Sequence, residues 1–175
     1  MARTLDRVIN AVIFTSSVAE SSIYTYTLPA NRLGTRGTVR GKLNCTLRNS
    51  SGVNQTYTLR LKFGGVTNLQ DMTIAVPAAA GAADLRSVII EFEITAYNST
   101  TTQLQVMRVE ISSIFAGAGG ISGDWGAAPL LAPTTMIGTS GITTTNACVI
   151  DVTIQAAAAT AVQQFIRRSG YLELV

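Results

Sequence analysis

Strict alternation of apolar and polar side chains is the dominant pattern along the chain, and it predicts β-strands with one buried face. From Thr38 to Arg48 the apolar parity carries Val39, Gly41, Leu43, Cys45 and Leu47. The next run repeats this code, with Tyr57, Leu59, Leu61 and Phe63 on the apolar parity. Turn-forming residues separate the two runs, so we predict that they form an antiparallel hairpin, and that the second run ends at Gly64-Gly65.

Further runs predict the remaining strands. They extend over Ile23 to Leu28, Val66 to Val76, Ser87 to Tyr97, Thr102 to Phe115, Ala147 to Gln155 and Val162 to the C-terminus. Between Val106 and Met107 the apolar parity switches, which predicts a β-bulge near Val106. The Ser169-Gly170 interruption in the last run predicts a second bulge. The stretch from Ala116 to Thr145 is rich in Gly, Pro and Thr, and we expect it to be irregular.

Together these runs predict about eight or nine strands and little or no helix. Strands separated by roughly 8–15 residues are typical of an all-β antiparallel β-sandwich. We predict that residues 21–175 form a single β-sandwich domain, and that residues 1–20 form an N-terminal arm or a first strand. Within that first segment, Leu5, Val8 and Val12 also fit the spacing of a helical turn.

Composition narrows the classes of function. Only 13% of the 175 residues are charged and 47% are hydrophobic, which disfavours both a coiled coil and a disordered chain. The chain has no His, so it lacks the commonest general base and the commonest metal ligand. We therefore expect a structural or binding protein and no enzyme, with no catalytic residues, no cofactor and no metal site.

Charge and hydropathy narrow the classes of partner. The net charge of +3 is small and no dense Lys/Arg cluster occurs, so we expect no nucleic-acid partner. No apolar stretch approaches the roughly 18 residues of a membrane span, and the N-terminus has no signal-peptide pattern. We therefore expect no membrane partner and synthesis in a cytoplasm.

Cys45 and Cys148 lie on the apolar parity, which favours two small buried side chains.

Two local patterns raise the possibility of chemistry. Glu91 and Glu93 share one face of a predicted strand at roughly 7 Å, a spacing that a glycosidase could use. The simpler interpretation is two outward residues that pair with a neighbouring Arg. The glycine-rich stretch from Gly117 to Gly123 follows a strand as a dinucleotide loop would. No helix start follows it, so we exclude phosphate binding there.

The outward parity of the first two runs carries a basic set: Arg40, Lys42, Arg48, Arg60 and Lys62. If the two strands were adjacent, one sheet face would hold all five side chains. Such a face is either simply solvated or an electrostatic docking surface for an acidic partner. The only Trp, Trp125, lies in the glycine-rich region, where it is either a core residue or an anchor that enters a partner's pocket.

The stretch from Leu28 to Val66 resembles a module of tailed-phage virion proteins. The matching residues are Leu28 to Asn31, Leu33 to Thr35, Gly37, Asn49 to Gly52 and Thr58 to Gly65. The later alternating strands and the C-terminal Gly170 to Val175 also fit that plan. The resemblance implies a jelly-roll β-sandwich in a head-decoration, tail-fibre or tail-attachment protein. Cys45 departs from the pattern, as does the lack of a long fibre segment, which disfavours a tail fibre.

From this resemblance we expect a capsid decoration or cement protein, located in the virion, that stabilises the assembled head. Its expected partners are the major capsid protein and further copies of itself. We expect it to form homotrimers at the threefold positions of the capsid. The alternative is a tail-fibre or tail-attachment protein that contacts a host receptor or glycan through Gly117 to Thr145. A hydrolase that uses Glu91 and Glu93 is a third, weaker hypothesis.

Overall fold

The computed structural model describes residues 2–15, 17–49, 55–67, 71–76, 86–113, 134–159 and 163–175. Within these segments the chain forms twelve β-strands and no helix, which confirms the all-β prediction. The strands are β1 (Arg3–Val8), β2 (Val12–Thr15), β3 (Ser21–Leu28), β4 (Thr38–Asn49), β5 (Gln55–Phe63), β6 (Val66–Thr67), β7 (Met72–Val76), β8 (Arg86–Ala96), β9 (Gln103–Ser113), β10 (Thr134–Ser140), β11 (Cys148–Ala156) and β12 (Gln163–Leu174).

The strands form two antiparallel sheets that pack as a sandwich. The seven-stranded sheet has the order β1–β12–β4–β8–β9–β10, and β2 also pairs with β12. The five-stranded sheet has the order β3–β11–β5, with β6 and β7 both beside β5. Successive segments alternate between the sheets: β1 and β2 lie in the first, β3 in the second, β4 in the first and β5 in the second. This connectivity is that of a jelly roll, extended beyond β8 by β9 and β10.

The predicted alternation is what fills the space between the sheets. Leu43 and Leu47 from β4 and Leu59 and Leu61 from β5 are fully buried in one continuous hydrophobic core. Cys45 and Cys148 are buried free thiols, as predicted. Burial raises the pKa of Cys45 to about 12, so its thiol stays protonated at neutral pH.

The predicted hairpin between the first two runs is wrong. β4 lies at the centre of the seven-stranded sheet and pairs with β8 and β12, whereas β5 lies in the other sheet and pairs with β11. Both strands bury one face against the same core, so their alternation is identical whether they pair or face each other. A tight hairpin does follow at Gly64-Gly65, where both residues have positive φ and join β5 to β6.

The two predicted bulges have opposite outcomes. β9 pairs with β8 and β10 without any register shift, so the bulge near Val106 is wrong. The apolar parity seemed to switch because the inward positions are continued by Gln103 and Gln105, which are both fully buried. The bulge in the last strand is confirmed, because the register between β12 and β4 shifts between Arg167 and Ser169.

Two other segments differ from expectation. Residues 134–140, predicted as part of an irregular region, form β10 at the edge of the seven-stranded sheet, and their alternation is hidden because Gly138 and Ser140 occupy inward positions. The described residues of the N-terminal segment form no helical turn. β1 and β2 instead pair one after the other along β12.

Candidate functional site: an ion-paired groove on the seven-stranded sheet

The five basic residues do not share one face, because β4 and β5 lie in different sheets. Arg40, Lys42 and Arg48 project from the outer face of the seven-stranded sheet, and Arg60 and Lys62 from the outer face of the five-stranded sheet. The expectation of a single basic surface is therefore wrong. Partner binding by these residues stays a prediction, and Trp125 lies outside the described residues.

On the seven-stranded sheet, the β4 cations face carboxylates directly across the β4–β8 pairing. Arg40 donates from Nε to Glu93 Oε2 at 2.8 Å, and Lys42 Nζ donates to Glu91 Oε1 at 3.0 Å. The hydrogen bond to Glu91 raises the pKa of Lys42. The predicted role of Glu91 and Glu93 as outward partners of basic residues is thus confirmed.

These pairs belong to two rows that run across four strands of the sheet. One row, here called the Tyr171 row, is Tyr171 (β12), Lys42 (β4), Glu91 (β8) and Arg108 (β9). The other, the Glu173 row, is Glu173, Arg40, Glu93 and Val106 on the same four strands. Neighbouring members of a row are directly opposite in the strand register, where side chains interact most strongly.

The two rows line a groove of about 390 Å³, which we call the sheet-face groove. Its lining is the eight side chains of the rows together with Gly41 and Phe92, which lie between the rows. Arg108 closes the charged array, with Nη1 at 3.9 Å from Glu91 Oε2 and Nη2 at 3.5 Å from Glu110 Oε2. Tyr171 is the exposed aromatic ring of the lining, at 40%, whereas Phe92 is buried.

Below the groove, Gly41 lies opposite Phe92 in the strand register. The Phe92 ring covers Gly41 on the core side, and a Cβ at position 41 would overlap that ring. The ring also packs against Tyr24 of the five-stranded sheet, with 6.3 Å between centroids. A side chain at position 41 would therefore displace Phe92, so the glycine is required by this close contact.

The basic residues of the five-stranded sheet make a different arrangement. Arg60 binds Asp71 through two hydrogen bonds, of 2.7 Å from Nε and 2.6 Å from Nη2. Its Nη1 donates to Gln155 at 2.8 Å, and Lys62 Nζ lies 2.8 Å from Glu20 Oε1. The hydrogen bonds from Arg60 lower the pKa of Asp71. This cluster ties the segments before β3 and β7 to the middle of the sheet.

The amino-acid sequence alone indicated four of the eight side chains in the two rows. Arg40 and Lys42 belong to the predicted basic set, and Glu91 and Glu93 to the predicted carboxylate pair, but it did not place the two pairs together. It missed Tyr171, Glu173 and Arg108 as site residues. Their outward parity on β12 and β9 was a usable signal, but only the strand order shows that these strands flank β4 and β8. Arg48 does not line the groove.

The described residues offer neither a metal site nor a membrane-spanning helix. They contain no group of three or more His, Cys, Asp or Glu side chains that could hold a metal ion. They also contain no helix that is long and apolar enough to cross a membrane. The hydrolase hypothesis stays a hypothesis: Glu91 and Glu93 are half-buried, and each forms an ion pair, with Lys42 at 3.0 Å and with Arg40 at 2.8 Å.

Comparisons with known proteins find similarity in structure only. No protein-family model and no curated protein sequence matches the chain. Among solved structures, the CBM2 module of the evolved Dit of Lactobacillus casei BL23 phage J-1 is 10% identical with a TM-score of 0.38, over 85% of this chain and 67% of that one. The lectin UEA-II complexed with galactose is 8% identical with a TM-score of 0.36, over 99% of this chain and 98% of that one. Lectin II from Ulex europaeus is 9% identical with a TM-score of 0.33, over the same shares. Similarity at this level carries no information about the function of the present chain.

Proposed function

We propose that this protein is a structural component of a tailed-phage virion that binds the assembled head as a decoration, or cement, protein. The observation that carries the proposal is the stretch from Leu28 to Val66, which resembles virion modules of this kind. Within it, β4 and β5 are interior strands of opposite sheets, so the resemblance falls on the framework of the jelly roll.

The physical basis is a flat two-sheet sandwich with charged residues on both outer faces. The two sheets share one core, and their outer faces carry ion pairs such as Arg40–Glu93 and Arg60–Asp71. Such a sandwich could bridge neighbouring copies of the major capsid protein without rearranging. Many small contacts, repeated by the symmetry of the shell and by trimers of the protein itself, would provide avidity.

Stoichiometry and location in purified particles test this proposal. A decoration protein is expected in a fixed ratio to the major capsid protein, on the head surface in labelled electron micrographs. Particles without the protein are expected to lose DNA at a lower temperature than complete particles. Light scattering of the isolated protein measures its oligomeric state. Absence from the virion would contradict the proposal.

A second candidate is a tail-fibre or tail-attachment protein that contacts a host receptor or glycan. The sheet-face groove favours it, because a lined depression with an exposed aromatic ring is suited to a small ligand. The part of Gly117 to Thr145 before residue 134 lies outside the described residues. A few copies per particle, all at the tail, would identify this alternative and exclude decoration.

A further inference from the structure

We propose that the sheet-face groove binds a neutral oligosaccharide. This inference concerns a site on the molecule and holds for a protein of the head or of the tail. Its volume of about 390 Å³ lies within the range of roughly 300–1,000 Å³ that is usual for small-molecule sites. Because the groove lies on an outer sheet face, a chain of sugars could extend beyond it at either end.

The charge of the groove selects against an ionic ligand. Its lining holds three cations and three carboxylates, which are Arg40, Lys42, Arg108, Glu91, Glu93 and Glu173. Three positive charges against three negative charges leave no net charge. An acidic polymer would meet the carboxylates at close range, and a basic one would meet the cations, so neither is attracted as a whole.

The same side chains offer hydrogen-bond donors and acceptors in fixed positions. Arg40 uses Nε for Glu93, and the structure shows no partner in the described residues for its two terminal nitrogens. Glu91 accepts a hydrogen bond from Lys42 through Oε1. Its Oε2 lies 3.9 Å from Arg108 Nη1, which is too far for a hydrogen bond. A sugar hydroxyl both donates and accepts, so it can bind next to either partner of such a pair.

The groove also has an apolar component suited to a sugar ring. Tyr171 ends the Tyr171 row and Val106 ends the Glu173 row, so an aromatic ring and a branched side chain lie at diagonally opposite corners. Tyr171 has a flat apolar ring with a polar hydroxyl at its tip. Its side chain has few rotatable bonds, so fixing it on binding costs little conformational entropy. The C–H face of a pyranose can pack on that ring while its hydroxyls reach the ion pairs.

The test is binding of the full chain to a panel of oligosaccharides. The panel contains trimers to hexamers of glucose, galactose and mannose, together with sialylated and sulfated counterparts, and binding is measured by titration calorimetry and ligand-observed NMR. We expect at least one neutral oligosaccharide to bind, with an affinity that changes little between low and high salt. Tyr171→Ala should weaken that binding about tenfold, and Tyr171→Phe should largely retain it.

Two further variants keep the result decisive. Tyr97→Ala is the matched control, because Tyr97 is 71% exposed but does not line the groove, and it should bind like the wild type. Val106→Arg blocks the opposite corner and should weaken binding at least as much as Tyr171→Ala, and it keeps the test valid if Tyr171→Ala fails to fold. Failure of every neutral oligosaccharide to bind, preference for the acidic counterparts, or binding unaffected by both groove variants would each overturn the inference. None of these results bears on copy number in the virion.

Discussion

The two outer faces of the sandwich carry similar side chains and use them differently. On the seven-stranded sheet the ion pairs are open, and Arg40 is 53% exposed beside Glu93. On the five-stranded sheet the cation is covered, and Arg60 is only 16% exposed between Asp71, Gln155 and Glu20. The first set leaves polar groups available to a ligand, whereas the second holds neighbouring segments against the sheet. Arg40 and Arg60 are the same type of residue, so the difference between their roles follows from their exposure.

The largest expected effect concerns the support of the groove from below. Gly41→Ala places a Cβ where the Phe92 ring lies, so we expect the free energy of unfolding to fall by about 1–3 kcal/mol in urea denaturation. Gly141→Ala is the matched control, because its Cβ would meet only Thr101 O at 3.9 Å, and it should stay within about 0.5 kcal/mol of the wild type. Equal stability of both variants would show that the ring does not constrain position 41.

The next effect compares one cation from each face. Arg60→Ala removes two bonds to Asp71 and one to Gln155, so we expect a loss of about 1–2 kcal/mol. Arg40→Ala removes an exposed pair and should cost about 0–1 kcal/mol. Denaturation of both variants under one set of conditions gives the difference directly. A larger loss for Arg40→Ala would reverse the contrast between the faces.

A smaller effect concerns Asp151 on the five-stranded face. Its Oδ2 accepts from Ser22, but its buried Oδ1 has no partner, and burial raises the pKa of this carboxyl. Because the pKa of Asp151 is higher in the folded than in the unfolded state, this carboxyl contributes stability below its unfolded pKa of about 3.9. That contribution is lost as the pH rises through the raised folded-state pKa. Asp151→Asn should therefore gain about 0.5 kcal/mol at pH 7. A clear loss of stability at that pH would contradict this account.

The smallest expected effect has the opposite sign. Arg60 lowers the pKa of Asp71, so this pair stabilises the fold above about pH 3.9, and the stabilisation is lost as the pH falls through the lowered value. Because Asp71 is about half exposed, we expect the pair to contribute only about 0.3 kcal/mol. Between neutral pH and pH 2, the free energy of unfolding should therefore decrease less for Asp71→Asn than for the wild type. Identical pH dependence would show that the pair contributes nothing.

The candidate site was predictable in its parts and not in its assembly. Arg40, Lys42, Glu91 and Glu93 are outward residues of clearly alternating runs, so their exposure could be predicted. Their pairing could not, because nothing in either run indicates that β4 lies beside β8. Tyr171 was harder still, because the bulge after Arg167 shifts the register of β12 and decides which β4 residue it faces.

The amino-acid sequence by itself determined which residues are buried in the clearly alternating strands, such as β4, β5 and β8, and hence the all-β sandwich with one core. It did so because a period of two places alternate side chains on opposite faces, whatever the strand pairs with. Only the tertiary structure decided which sheet each strand joins. Pairing is made by backbone hydrogen bonds that are alike for every residue, and two sheets around one core require the same inward pattern. The separation of Arg40 from Arg60, and the meeting of Tyr171 with Lys42, follow from that choice.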